Sequence, residues 1–283
     1  EAARWGIETS FVDMTDLAAV AAAVRPGRTR LIWIETPANP LWDVVDVAAV
    51  ARVAQAAGAQ GAVDSTCASP ALSRPLSLGA DIVMHAATKY LNGHSDVVGG
   101  AVVAANPADV ETLAAWANVI GTAGSPFDAY LTLRGLRTLF PRIQRQQESA
   151  MTVARFLAHH PFVAAVYYPG LETHPGHALA ASQQDGFGAM LSFELKGDTD
   201  TVRRFVEAVA IFTLAESLGG VESLIAHPAT MTHAAMGAEA RKAAGITDRL
   251  IRLSIGLEAA SDLTAGLQCG FAAIERHSIA KTG

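Results

Sequence analysis

Four short runs in the first half of the chain are continuously apolar and rich in β-branched residues: Leu31 to Glu35 (LIWIE), Gly61 to Asp64 (GAVD), Asp81 to His85 (DIVMH) and Gly100 to Ala104 (GAVVA). Runs of this length, flanked by turn residues, read as strands buried on both faces of a parallel sheet, with buried helix as the alternative that periodicity alone leaves open. Between the first two, Val47, Val50, Ala51 and Ala54 recur at helical spacing, with Asp46 placed as the N-cap and Gly58 as the stop. Strand, helix and strand in that order make a βαβ unit. Its repetition predicts an α/β domain whose ligand sits at the carboxyl ends of the strands.

Further along, Ser125, Pro126 and Asp128 form a helix start with capping-box spacing, and the stretch beyond holds only Gly135 and Pro141 as breakers. A long connecting helix is expected there, with Pro141 as a place for a kink. After the HHP at 159 to 161 the pattern changes. VAAVYY, AMLSFEL and LIRLSIGLE read as strands, and Val202, Phe205, Val206 and Val209 mark an amphipathic helix after Asp200. The expected organisation is a large domain over 1–147 and a smaller α+β domain over 148–283, without internal repeat or low-complexity tract.

A chain of 283 residues that is 51% hydrophobic can bury a large core. Its 27 acidic and 21 basic side chains leave a formal charge of -6, which supplies no basic footprint for nucleic acid. A small molecule is the expected ligand. Cys67 and Cys269 lie far apart and form no CxxC pair, so neither a disulfide framework nor a zinc site is indicated, as suits a reducing cytoplasm. His227 and His233, like the adjacent His159 and His160, lack the i, i+4 spacing of a helical zinc site and read as structural or solvent-facing. No apolar stretch reaches the roughly 18 residues of a membrane span, and the chain reads as soluble. The opening residues, EAARWGIETSFVDMTD, have neither an initiator Met nor the progression of a signal peptide, so the sequence reads as beginning mid-protein.

Candidate chemistry gathers at the predicted strand ends. Lys89 follows DIVMH and precedes the turn YLNGHSDVVGG. An amine among apolar strand ends has a lowered pKa and attacks aldehydes; a solvated loop lysine is the plain alternative. Asp64 closes a strand in AVDSTCASP, where a carboxylate could hold a cationic ring nitrogen protonated or simply close a turn. Glu35 and Asn39 lie in ETPANP, where Asn39 could hydrogen-bond a phenolate oxygen or serve as a turn residue before Pro40. Arg252, inside an apolar strand, needs a partner, either a carboxylate gripped in bidentate fashion or a structural ion pair. AESLGGVESLIAHPATMTH is rich in small and hydroxyl residues and fits a close wall around a ligand or an ordinary Gly-rich turn. Cys67 reads as a small core or turn residue. GxxxxGK[ST] is absent, which leaves Thr88 and nearby N–H groups as phosphate donors.

Taken in order from about Phe11 to the end, ETPANP, VDSTCASP, HAATKYLNGHSDVVGG, RGLRTL, AESLGGVESLIAHPATMTH and LIRLSIGLE resemble the Cys/Met-metabolism pyridoxal-phosphate family. The resemblance implies an α/β fold of the aspartate-aminotransferase type (fold type I), with a mostly parallel large-domain sheet and a smaller α+β C-terminal domain. It implies pyridoxal 5'-phosphate as cofactor, with Lys89 the Schiff-base lysine, Asp64 the pyridinium partner, Asn39 a contact to the cofactor hydroxyl, Thr88 a phosphate ligand and Thr66 a further cofactor contact. Ser217 and Arg252 correspond to residues near the substrate carboxylate. Glu216 matches the γ-synthase and γ-lyase branches, where methionine γ-lyases tend to carry an apolar residue.

WANVIG, FDAYLTLRGLRTL, GFGAMLSFEL and AESLGGVESLI are most similar to the bacterial branch that joins an O-acylhomoserine, O-succinylhomoserine in particular, to cysteine, giving cystathionine in transsulfuration and methionine biosynthesis. The alternatives are the branch that splits cystathionine into cysteine, ammonia and 2-oxobutyrate, and a non-catalytic binding module on the same fold. The resemblance also implies a cytoplasmic homotetramer with active sites shared between subunits, without metal, nucleic acid or membrane. Two departures stand out. Ala86 replaces the family's phosphate-binding Ser, and the family's N-terminal segment, which supplies a Tyr-x-Arg pair, a Gly-Met turn and a ring-stacking Tyr, is absent from this sequence.

Overall fold

The computed structural model describes residues 2–282, and the side chains of residues 3–277. Glu1 and Gly283, the outer ends of the two expected domains, lie outside the described residues. The chain opens with α1 (Leu17–Ala23), β1 (Leu31–Glu35), α2 (Val47–Ala56) and β2 (Gln60–Asp64). Asp46 accepts the Ala49 N–H at 2.8 Å, and Gly58 follows α2 with φ 65°, so the cap and stop are where the spacing put them. Next come α3 (Ser69–Leu72), β3 (Ile82–Ala86) and β4 (Gly100–Ala104).

These strands form one sheet in the order β1-β2-β3-β4. β1, β2 and β3 are parallel, whereas β4 runs antiparallel to β3. The loop 87–99 returns the chain directly, without the crossover helix that a parallel neighbour requires. Burial also differs from expectation. α1 and α2 cover Ile32, Ile34 and Val63, while Leu31 and Trp33 on the other pleat are 48% and 49% exposed. The sheet is thus packed on one face at β1, and the outer strand β4 is also largely open.

α4 (Pro107–Ile120), α5 (Pro126–Leu136) and α6 (Leu139–Ala158) follow. The long connecting helix is therefore two helices. Its break falls at Arg137 and Thr138, while Pro141 lies in the first turn of α6, where a missing N–H forfeits no bond. Gly135 allows α5 to press on the chain after β3, since a Cβ there would lie 2.1 Å from the Asn92 carbonyl oxygen. α6 buries Leu139, Ile143, Ala150, Val153 and Leu157, and its buried stripe also includes Arg142 and Gln146.

The second half contains β5 (Val163–Tyr167), α7 (His177–Gln183), β6 (Met190–Leu195), α8 (Thr199–Ala208), β7 (Thr213–Leu214), β8 (Leu224–Ala226), α9 (Ala238–Ala243), β9 (Leu250–Ser254) and α10 (Ala260–Thr282). Asp198, not Asp200, caps α8, in a reciprocal box with Thr201; Asp200 pairs with Arg203 and Arg204 instead. The sheet order is β5-β6-β9-β8-β7. On one face Phe193, Leu195, Ile251 and Leu253 pack with Phe205, Leu263, Leu267 and Phe271. The period-two alternation turns Ser192, Arg252 and Ser254 to the opposite face. Trp42, from the loop after β1, is 1% exposed against that face. Its Nε1 donates to Ser192 Oγ at 3.0 Å, and Ser192 in turn donates to the Pro40 carbonyl at 2.6 Å. The loop ends of the first sheet are thereby locked against the polar face of the second.

Candidate active site

In-register pairing sets Glu35 beside Asp64 and Asp64 beside Met84, so the carboxyl ends of β1, β2 and β3 lie level. The loops leaving them open on one side, where ligands of such sheets collect. Half-buried Lys89 stands in the third of these loops, and its Nζ donates to Ser217 Oγ at 2.8 Å. Burial, assisted by the nearby Arg252 cation, lowers the Lys89 amine below the usual lysine value of 10.5. That shift enlarges the neutral, nucleophilic fraction.

Arg252, 3% exposed on β9, comes to the same place from the second sheet. Its Nη2 donates to the Ser217 carbonyl at 2.7 Å and its Nη1 to Asn39 Oδ1 at 3.2 Å. The Asn39 N–H continues the run to Glu35 Oε1 at 3.2 Å. Lys89, Ser217, Arg252, Asn39 and Glu35 therefore form one hydrogen-bonded chain across both halves of the molecule. Arg252 Nε is buried without a partner among the described residues, a donor left over for an acceptor oxygen. Asn39, with its carbonyl given to Arg252, keeps its amide N–H groups for a second acceptor. Glu216 is exposed beside Ser217, and its charge favours the cationic forms of Lys89 and Arg252.

Asp64 Oδ1 accepts the Thr66 N–H at 3.0 Å, and Thr66 Oγ1 accepts the Ala86 N–H at 2.8 Å. This ties the ends of β2 and β3 together around the carboxylate. Burial pushes the Glu35 carboxyl up, against the Asn39 N–H, and the neighbouring Asp64 charge adds to the rise. Thr88 is turned to Gly99, donating to its carbonyl at 3.2 Å and accepting its N–H at 3.0 Å. Cys67 is buried, and burial raises its thiol far above the range of a thiolate nucleophile. His227 bonds Thr230 and the Asp248 carbonyl, and among the described residues no His/Cys/Asp/Glu group could hold a metal.

This donor set suits pyridoxal phosphate. A desolvated amine could take an aldehyde, a carboxylate could pair with a ring nitrogen, an amide could meet a phenolate and a guanidinium could meet a carboxylate. Toward the expected phosphate end the hydroxyl near the loop of Lys89 is that of Thr88, while Ala86 offers none.

Arg142 was not anticipated from the sequence. It is 4% exposed on α6, where Nη2 donates to the Tyr90 and Gly135 carbonyls at 2.9 and 3.0 Å and Nε to Thr138 Oγ1 at 3.1 Å. It thus holds the residue after Lys89 to the end of α5. Gly93, with φ 73°, makes room for it, since a Cβ there would lie 2.1 Å from Arg142 Nη1. The available signal was a charged residue in register with Leu139 and Ile143 on the apolar stripe.

The family described as Cys/Met metabolism PLP-dependent enzyme matches residues 1–272. Cystathionine γ-synthase of Escherichia coli (strain K12) is 54% identical over 266 residues, covering 94% of this chain and 69% of that protein. The crystal structure of cystathionine γ-synthase from Xanthomonas oryzae pv. oryzae in complex with cystathionine aligns with a TM-score of 0.91 at 57% identity, covering 94% of this chain and 68% of that one. Cystathionine γ-lyase from Lactobacillus plantarum, complexed with L-serine, aligns with a TM-score of 0.93 at 46% identity, covering 96% and 71%. No helix among the described residues is long and apolar enough to cross a membrane. With residues 1–272 matched and more than half of the aligned positions identical in a relative, the chain belongs to the Cys/Met metabolism family of PLP-dependent enzymes.

Proposed function

We propose that the protein catalyses γ-replacement on an O-acylhomoserine, O-succinylhomoserine in the first instance, with cysteine as the incoming thiol and cystathionine as product. The observation that carries this reading is the Lys89 Nζ to Ser217 Oγ bond of 2.8 Å beside Arg252, which is anchored on the Ser217 carbonyl at 2.7 Å. An amine that can shuttle protons is thereby fixed next to a cation that can hold a carboxylate. Bound pyridoxal phosphate would supply the electron sink that makes protons at Cα and Cβ of an amino acid removable.

Arg252 grips the substrate carboxylate, with its free Nε as an additional donor. Lys89 carries protons away from Cα and Cβ and returns them, and Ser217 keeps the amine aligned between these positions. Asp64 would hold the cofactor's ring nitrogen protonated, Asn39 would meet its hydroxyl, Thr88 would meet its phosphate and Thr66 would give a further contact. Glu216, at the rim, selects among amino-acid side chains. In the net reaction the γ C–O bond to the acyl group breaks and a C–S bond to cysteine forms at the same carbon.

The test is turnover of O-succinylhomoserine plus cysteine, compared with cystathionine alone, in wild type and Lys89→Ala. Cystathionine formation in the first assay is expected, with a loss of about 10²–10⁴-fold or more in the variant. Predominant release of 2-oxobutyrate from cystathionine would make the protein a γ-lyase, the reading favoured by its likeness to the L. plantarum enzyme. The same protein, placed in the cytoplasm, is proposed to form a homotetramer that shares active sites. Trp116, Val119, Ile120, Phe127 and Tyr130, exposed on α4 and α5, support burial of that face between subunits, which sedimentation would test. The boundary between its large and small domains is placed after residue 147, inside α6.

A further inference from the structure

Ser217 has φ 81° and Gly219 φ 77°, so the turn from Ser217 to Gly220 lies twice in the left-handed region. A serine there is strained, and such a conformation persists only when its surroundings hold it. The surroundings are specific. Ser254 Oγ, on β9 two residues beyond Arg252, accepts the Gly219 N–H at 2.9 Å. Gln146 Nε2, on α6, donates to the Gly220 carbonyl at 2.7 Å and to the Ile255 carbonyl at 3.1 Å. Both side chains are fully buried, and these hydrogen bonds run to backbone groups rather than to Lys89 or Arg252. The turn also rests on the loop carrying Lys89, since a Cβ on Gly219 would lie 3.0 Å from the Tyr90 nitrogen.

We propose that Ser254 and Gln146 are positioning residues that hold the 217–220 turn in its left-handed form. In that form the Ser217 hydroxyl meets Lys89 while its carbonyl meets Arg252. Without the tethers Ser217 relaxes toward the right-handed region, and the two groups it holds lose their common anchor. The inference rests on reading Lys89 and Arg252 as the proton carrier and the carboxylate grip.

Glycine adopts the left-handed region freely, so a glycine at 217 leaves the tethers less strain to restrain. In the cofactor-loaded enzyme, Ser254→Ala is expected to raise KM for O-succinylhomoserine about tenfold, through Arg252, and to lower kcat as well, through Lys89, since a buried N–H loses its acceptor. In a Ser217→Gly background the same substitution is expected to change KM less than about twofold, a non-additive result that residues acting independently do not give. Equal factors in the two backgrounds, or a fall in Tm with KM unchanged, would overturn the proposal. Gln146→Met gives the same comparison should Ser254→Ala not fold. Wild-type protein inactive on both O-succinylhomoserine with cysteine and cystathionine would overturn the assigned reaction alone. The positioning claim would then be read from glycine affinity, followed by cofactor absorbance, in the same four proteins.

Discussion

Arg142→Met isolates the support beneath Lys89. Methionine is long, flexible and apolar, so it can occupy much of the channel while removing every donated bond. The Gly135 carbonyl keeps the N–H and hydroxyl of Thr138 as donors. The Tyr90 carbonyl is the group left stranded. A buried acceptor without its donor costs about 1–3 kcal/mol, and loss of the charge-assisted bond to Gly135 adds to this. Opposing these costs, the guanidinium is desolvated enough to lower its own pKa, and its Nη1 has no partner among the described residues, so its removal restores part of the loss. The net is about 2 kcal/mol, or roughly 4–8 °C in Tm for a chain of this class. Because Tyr90 directly follows Lys89, the larger effect falls on kcat. Displacing a reacting group by a fraction of an ångström to an ångström costs about ten- to a hundredfold. Thermal scans and steady-state kinetics on cofactor-loaded protein measure both, with Arg142→Lys expected to fall between. A Tm shift under about 2 °C together with unchanged kcat would refute the reasoning, because neither the stranded carbonyl nor the loop would then depend on Arg142.

Further outcomes are expected elsewhere in the site. Arg252→Lys keeps the charge but loses the planar fork, and KM for the amino-acid substrate should rise by about 10- to 100-fold with cofactor content unchanged. In the cofactor-free chain, Lys89 binds its proton less tightly when folded than its ordinary value of 10.5. Stability should therefore rise with pH between the lowered folded value and 10.5, where the unfolded chain still holds a proton that the folded one has released. Lys89→Met should flatten that rise in pH-dependent thermal scans, and an identical slope would exclude burial as the cause. Trp42→Phe keeps the apolar wedge but removes the N–H given to Ser192, so equilibrium unfolding should show a loss of about 1 kcal/mol, whereas Trp42→Ala should cost about 3–5 kcal/mol.

Much of the site could be read from the sequence because its residues end short apolar strands. Asp64 and Lys89 stand where the chain leaves β2 and β3, and the pattern alone placed them on the side where such sheets bind ligands. Arg252 announced itself as a charge inside an apolar strand. Other features depended on tertiary structure. The direction of β4 is set by the path of the loop 87–99, which leaves no trace in hydrophobicity, and the exposed pleat of β1 reads like a buried one because Leu31 and Trp33 are apolar. The partners of Gln146 lie 74 and 109 positions away, and those distances are why its role was invisible among the other polar residues of α6. The start expected after Asp200 falls two residues earlier, because the reciprocal bond with Thr201 makes Asp198 the cap and leaves Asp200 in the first turn of α8.

α6 presents Arg142 to the loop of Lys89 and, one turn later, Gln146 to the turn of Ser217. Each residue of an α-helix advances about 100° around its axis, so adding or deleting one residue between these two positions would swing one of them off the shared stripe. The segment from 142 to 146 should therefore tolerate exchanges of side chain far better than any change of length. In a library of insertions and deletions it should form a gap of inactivity inside an otherwise ordinary helix.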